Sequence, residues 1–143
     1  MKLNLSELLD KGLVEKFQSD KNQIKNEIDI AKRDISSCKK MLEIGTWDWA
    51  HNAGYNAMLQ AGRALMFSKG YRPKSAEHHL AVISFIEVVY AAKIPVEVLQ
   101  AFDKARKRRN ESLYDKADTI SESQARNLID KAEIFVKKVQ DLL

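Results

Sequence analysis

The sequence predicts an all-α fold, an antiparallel up-and-down bundle of four to five helices, and three observations carry that expectation. Between residues 20 and 43 the apolar positions Ile24, Ile28, Ala31, Ile35, Cys38 and Leu42 recur at alternating spacings of four and three, the seam of a helix that packs along its length. Near the end of the chain Ala125, Leu128, Ile129, Ala132, Phe135, Val136, Val139, Leu142 and Leu143 follow a 3.6-residue period. Strand signals are nearly absent, because β-branched residues fall at helical rather than alternating spacing. Only two prolines and five glycines interrupt the run.

Element by element, Leu5, Leu8, Leu9, Leu13, Val14 and Phe17 suit a short first helix over 5–17 with a break near Gly12. The seam helix follows from about Asp20 to Glu43; under three heptads inside a compact chain favours a bundle helix over a coiled coil, and Gly45 ends it. Thr46 can cap a third helix with Asp48 in its first turn, running to a stop at Gly70. This helix is rich in alanine and glycine, so neighbours can approach closely and it should be the most buried element. Tyr71-Arg72-Pro73-Lys74 reads as a turn, and Ser75 as the cap of a fourth helix. The fourth helix is apolar on two sides, through Leu80, Val82, Ile83, Phe85, Ile86, Val89 and Tyr90. Lys93-Ile94-Pro95 turns into a fifth helix, and Ser121-Glu122-Ser123-Gln124 is a capping signal for the last.

A chain of 143 residues with 45% hydrophobic and 31% charged residues fits one globular domain. The expected layout is a single domain over 1–143, with the short helix 5–17 packed on a bundle over 20–143. No window approaches the ~18 apolar residues of a membrane span, and the start carries acids and leucines at helical spacing rather than a secretory signal. A cytoplasmic protein is therefore expected. The single cysteine, Cys38, falls in phase with the seam and reads as a small core residue.

Several chemistries find no support. A di-iron bundle would need Glu-x-x-His pairs on two helices; the nearest approaches are Asp48-x-x-His51 and Glu77-His78, so no metal is expected. There is no Gly-x-Ser-x-Gly elbow and no phosphate-cradling glycine loop, and no cofactor is called for. The tryptophans of Trp47-Asp48-Trp49 read as a packing cluster at a helix start rather than a stacking platform.

One segment stands apart. In the fifth helix, over 95–113, the stripe is Val98, Leu99, Phe102, Ala105 and Leu113. At about 100° per residue, Arg109 falls roughly 20° from Phe102 on that stripe. An arginine there calls for a carboxylate such as Glu111 or Asp115, a polar cleft, a ligand, or a route to solvent over its own stem. Lys104, Arg106, Lys107, Arg108 and Arg109 also crowd five cations into six positions, a patch able to meet phosphates or simply to sit solvated near a helix C-terminus.

The segment Tyr55 to Leu80, YNAMLQAGRALMFSKGYRPKSAEHHL, resembles the HEPN domain family through Tyr55, Ala57, Ala61, Ala64, Leu65, Gly70, Tyr71, Pro73 and His79. The later Arg109-Asn110-Glu111-Ser112-Leu113-Tyr114-Asp115 is similar to that family's second landmark, an arginine, a polar neighbour and, several positions on, a histidine. The similarity spans roughly residues 20–140. It implies a homodimer whose cleft, in catalytic members, is a metal-independent ribonuclease site. Arg109 would bind phosphate and Asn110 would orient it, with Arg106 adding charge. The family histidine is replaced by Tyr114, a phenol that stays protonated at neutral pH and is a poor base. That variant resembles members that accompany a small nucleotidyltransferase, sometimes modified on a tyrosine beside the motif. The leading expectation is thus a dimeric module binding nucleotide or RNA phosphates through Arg109, Asn110, Tyr114 and Arg106, partner of a small nucleotidyltransferase in a toxin–antitoxin-like pair. The alternatives are a ribonuclease whose base comes from elsewhere (His51, His78 or His79) and a structural dimerisation domain without ligand.

Overall fold

A computed structural model describes residues 3–74 and 78–143. In chain order the elements are α1 (Leu5–Asp10), β1 (Val14–Lys16), α2 (Lys21–Glu43), α3 (Trp47–Ser68), β2 (Tyr71–Pro73), α4 (His78–Val89), α5 (Val96–Asn110), a π-helical turn (Glu111–Asp115) and α6 (Glu122–Leu142). The expected helical bundle is present. Its axis is α3, packed by α2, α4, α5 and α6. Small residues make that possible: Ala50, Ala57, Ala61 and Ala64 are fully buried. Gly62 leaves no room for more, since a Cβ there would lie 2.5 Å from Cγ1 of Val82 on α4.

The α2 seam packs as its spacing requires, with Ile28, Ala31 and Cys38 buried against α3 and α6. Cys38 donates to the Ile35 carbonyl at 3.1 Å, and burial raises its thiol to about 11, consistent with an inert core residue. Falling numbers on α2 meet rising numbers on α3: Glu27 pairs with Arg63, Asp34 with Asn56, and Cys38 lies by Gly54. The two helices are thus antiparallel. Capping boxes open α2 (Asp20 with Gln23) and α6 (Ser121 with Gln124), the second as its sequence suggested.

Four local expectations are corrected. The first helix stops at Asp10; Gly12, at φ +71°, turns the chain, and Val14–Lys16 extends to pair antiparallel with Tyr71–Pro73. The segment 71–74 is therefore mostly strand rather than turn. A three-residue ladder between segments so distant in sequence leaves no periodic trace in either. Thr46 sits at the N-cap of α3, but its hydroxyl donates backwards to the Met41 carbonyl at 3.0 Å and closes α2 instead. Trp49 does not pack: 62% of it is exposed, whereas Trp47 is half-buried. The expected cap at Ser75 and the neighbouring Glu77 lie outside the described residues. Among the described residues no helix is long and apolar enough to cross a membrane.

A candidate phosphate cleft at the end of α5

The stripe Val98, Leu99, Phe102 and Ala105 of α5 is buried as expected. Regular helix ends one residue after Arg109. From Glu111 the backbone widens into a π-helical turn, closed by the Lys116 N–H donating to the Glu111 carbonyl at 3.0 Å. Such widened turns are rare and often mark functional sites. The change of pitch takes Leu113 off the stripe, leaving it half-buried and Arg109 at the edge of the core rather than inside it.

Arg109 faces an open cleft of about 340 Å³ lined by His78, His79, Leu80, Arg106, Asn110 and Tyr114. All four residues expected to form a site, Arg109, Asn110, Tyr114 and Arg106, thus meet in one place. They are not equivalent there. Arg106 is committed to Asp103, with Nη2 at 3.1 Å and Nε at 3.3 Å from one carboxylate oxygen. Arg109 has no carboxylate within ion-pair reach among the described residues, including Glu111 and Asp115. Its guanidinium lies 5.9 Å from the ring centroid of Tyr55, a cation–π contact that steadies the group without neutralising it. Tyr114 stands at the mouth, 74% exposed, and Asn110 is exposed at the rim.

Two further members of this cluster are ones to which local sequence pattern assigns no place beside Arg109. Tyr55 on α3 is fully buried, stacked edge-on against Phe102, and its hydroxyl bonds Nδ1 of His79 on α4 at 2.8 Å. Burial pushes the phenol well above its usual range, so it stays protonated. His79 is held below the ordinary histidine value, first by burial and then by the charges of Arg109, His78 and Arg106. It is neutral at pH 7. The signal that could have found them is a tyrosine alone in an Ala/Gly-rich helix and a histidine at the start of the next.

His51 lies elsewhere. It is fully buried in α3, and its Nδ1 bonds the side-chain oxygen of Asn52 at 2.9 Å. An amide oxygen only accepts, so Nδ1 carries the proton. Nε2 is then bare and unpartnered among the described residues. Burial, above all, lowers its pKa. Asn52 donates onward to the Ser112 hydroxyl at 2.9 Å, and that hydroxyl donates to the Arg109 carbonyl at 3.3 Å. This chain ties the π-helical turn to α3. Asp48, the other half of the suggested metal pair, caps a different loop, accepting from the Asp118 and Ile120 N–H groups at 3.0 and 3.1 Å. No cluster of three metal-ligating side chains occurs among the described residues.

No curated protein matches the chain by sequence. Among solved structures, TT1696 from Thermus thermophilus has a similar fold, with a TM-score of 0.68 at 16% identity, covering 85% of this chain and 99% of that one. At that identity the likeness speaks to the fold alone. The HEPN domain family matches residues 24–142, a span that takes in nearly the whole bundle and every residue lining the cleft. This chain belongs to the HEPN domain family.

Proposed function

We propose that this protein is a phosphate-binding module of the HEPN type, working as a homodimer in the cytoplasm and taking the phosphate oxygens of a nucleotide or RNA at Arg109. One observation carries the reading: Arg109 is the cation of the cleft left without a carboxylate among the described residues, while Arg106 beside it is already paired. A guanidinium held on an aromatic face and open on its outer side offers the planar fork of donors that suits a phosphate. The position at the C-terminal end of α5 favours a cation there when no ligand is bound. Tyr114, exposed at the mouth, and Asn110 at the rim complete the lining. The partner we assign is a small nucleotidyltransferase, in a toxin–antitoxin-like pair, on the strength of the Arg109-Asn110 to Tyr114-Asp115 segment.

The test is fluorescence anisotropy of a labelled RNA in EDTA, wild type beside Arg109→Ala. Saturable binding that falls about 10–100-fold in the variant is expected for loss of a charged hydrogen-bonding group. Equal binding by both proteins would remove Arg109 from the site. Light scattering checks the dimer, and a monomer at micromolar concentration would end that part of the reading.

A second reading, metal-independent ribonuclease, is favoured by His79, which brings an imidazole into the cleft that Tyr114 cannot supply. RNA cleavage in EDTA by wild type but not by Arg109→Ala is its signature.

A further inference from the structure

The hydrogen bond between Tyr55 and His79 can be written two ways. Either the phenol donates to a bare Nδ1, leaving the imidazole proton on Nε2, or Nδ1–H donates to the phenol oxygen. In the second case the buried phenol proton has no further acceptor among the described residues. Leaving a buried donor unsatisfied costs about 1–3 kcal/mol, whereas the first arrangement satisfies both groups. With Nδ1 turned to Tyr55, the opposite edge of the ring, Nε2–H, is left to the clefts His79 lines. The ring of the same tyrosine supports the Arg109 guanidinium. One buried side chain therefore sets both a cation and a neutral donor.

We propose that Tyr55 is a positioning residue that locks His79 as an Nε2–H donor, and that His79 is a second ligand for phosphate oxygens beside Arg109. This rests on the phosphate-binding reading and deepens it. An imidazole with its outward nitrogen protonated donates a hydrogen bond but cannot take the proton of a 2′-hydroxyl, so it serves binding rather than cleavage.

A pH dependence follows. The groups facing His79 are Tyr55 from α3, His78 on its own helix, Arg106 with its partner Asp103 and Arg109 from α5, and Tyr114 from the π-helical turn; the Glu27–Arg63 pair lines the adjoining cleft. Cations and burial keep the empty site's His79 neutral. A bound phosphate adds the opposite charge and favours imidazolium. Binding then takes up a proton, and affinity rises as pH falls through the histidine range.

Two measurements test this. Long-range ¹H–¹⁵N spectra of the free protein at pH 8 report the tautomer: Nε2–H is expected in wild type, with that preference lost in Tyr55→Phe. An Nδ1–H signature in wild type would overturn the lock. Anisotropy with a 2′-O-methyl RNA decamer, which has no titrating group between pH 5 and 8 and cannot be cleaved, reports the ligand role. Affinity should rise about tenfold from pH 8 to pH 5.5 in wild type, and most of that rise should be lost in His79→Gln, whose side chain takes up no proton; an undiminished rise in that variant would overturn the ligand role. His79→Ala should lose about tenfold at pH 8, with circular dichroism confirming that both variants are folded. Competition by adenosine monophosphate at pH 8 separates a free nucleotide from a strand as the source of the phosphate. Arg109→Ala abolishing binding while His79→Ala leaves it intact would overturn this inference and spare the phosphate reading. Failure of wild type to bind either probe would end both.

Discussion

His51 and His79 are both kept neutral by burial, yet they approach Arg109 from different sides and serve opposite ends. His51 is sealed in α3 and acts on the backbone, through Asn52 and Ser112, at the Arg109 carbonyl. His79 is half-buried and lines the cleft that the Arg109 side chain faces. Each has one ring nitrogen engaged with a neighbour on α3. The difference lies in the surroundings of the second nitrogen: that of His51 is buried with no partner among the described residues, whereas His79 lines open clefts. A buried imidazole can therefore be a structural spacer or, as we propose for His79, a ligand group, and the second nitrogen separates the two.

The hardest test of that division is truncation. His51→Ala removes a fully buried side chain and strands the Asn52 side-chain oxygen, so unfolding free energy should drop by about 2–4 kcal/mol in a urea titration. His79→Ala, at a half-exposed position, should cost less than about 1 kcal/mol. Equal losses would erase the contrast. Arg109→Ala comes next. With no ion pair to break among the described residues, its melting temperature should hold while RNA binding falls about 10–100-fold. A clear loss of stability would instead make the residue structural.

Proton linkage sharpens the comparison further. Both histidines have folded-state values below the ordinary one, so the unfolded chain binds protons first as pH falls. Their contribution is present above about pH 6.5 and is lost progressively below it. Urea titrations at pH 7.5 and pH 5 should show the decline. Phosphate in the cleft should offset the part due to His79 and leave that of His51 untouched. Ser112→Ala, which cuts the link from Asn52 to the Arg109 carbonyl, should cost about 1 kcal/mol. Smallest of all, Trp49→Ala should change stability by less than about 0.5 kcal/mol; a larger drop would mean the ring packs against something in solution.

The helices were legible because their apolar period is local: the α2 seam, the α6 stripe and the Ser121 cap each declare themselves within a few residues. The β1–β2 ladder was not, since Val14 and Pro73 are separated in sequence by two long helices. The candidate cleft divides the same way. Arg106, Arg109, Asn110 and Tyr114 lie close together in sequence, and the family resemblance grouped them. Tyr55 and His79 reach that cleft from α3 and α4, and no local pattern links either to Arg109. The helical wheel was right about the direction of Arg109 and wrong about its depth, because it assumed that α5 kept its pitch through Leu113.

The β1–β2 ladder bears on more than the fold. The family match begins at residue 24, so β1 and everything before it lie ahead of the shared bundle. That leading segment grips β2 at many points: the Phe17 N–H to the Gly70 carbonyl, the Lys74 N–H to the Leu13 carbonyl, Glu15 with Arg72, and the Arg72 guanidinium over the Phe17 ring. Ser19 adds a bond to the Phe67 carbonyl at the end of α3. The strand so gripped precedes α4, and His79 is in the first turn of that helix. The leading segment thus fixes the strand that comes immediately before α4 in the order of elements. None of its described residues lines the cleft, yet the strand it holds leads into the helix that carries one of the cleft's lining groups.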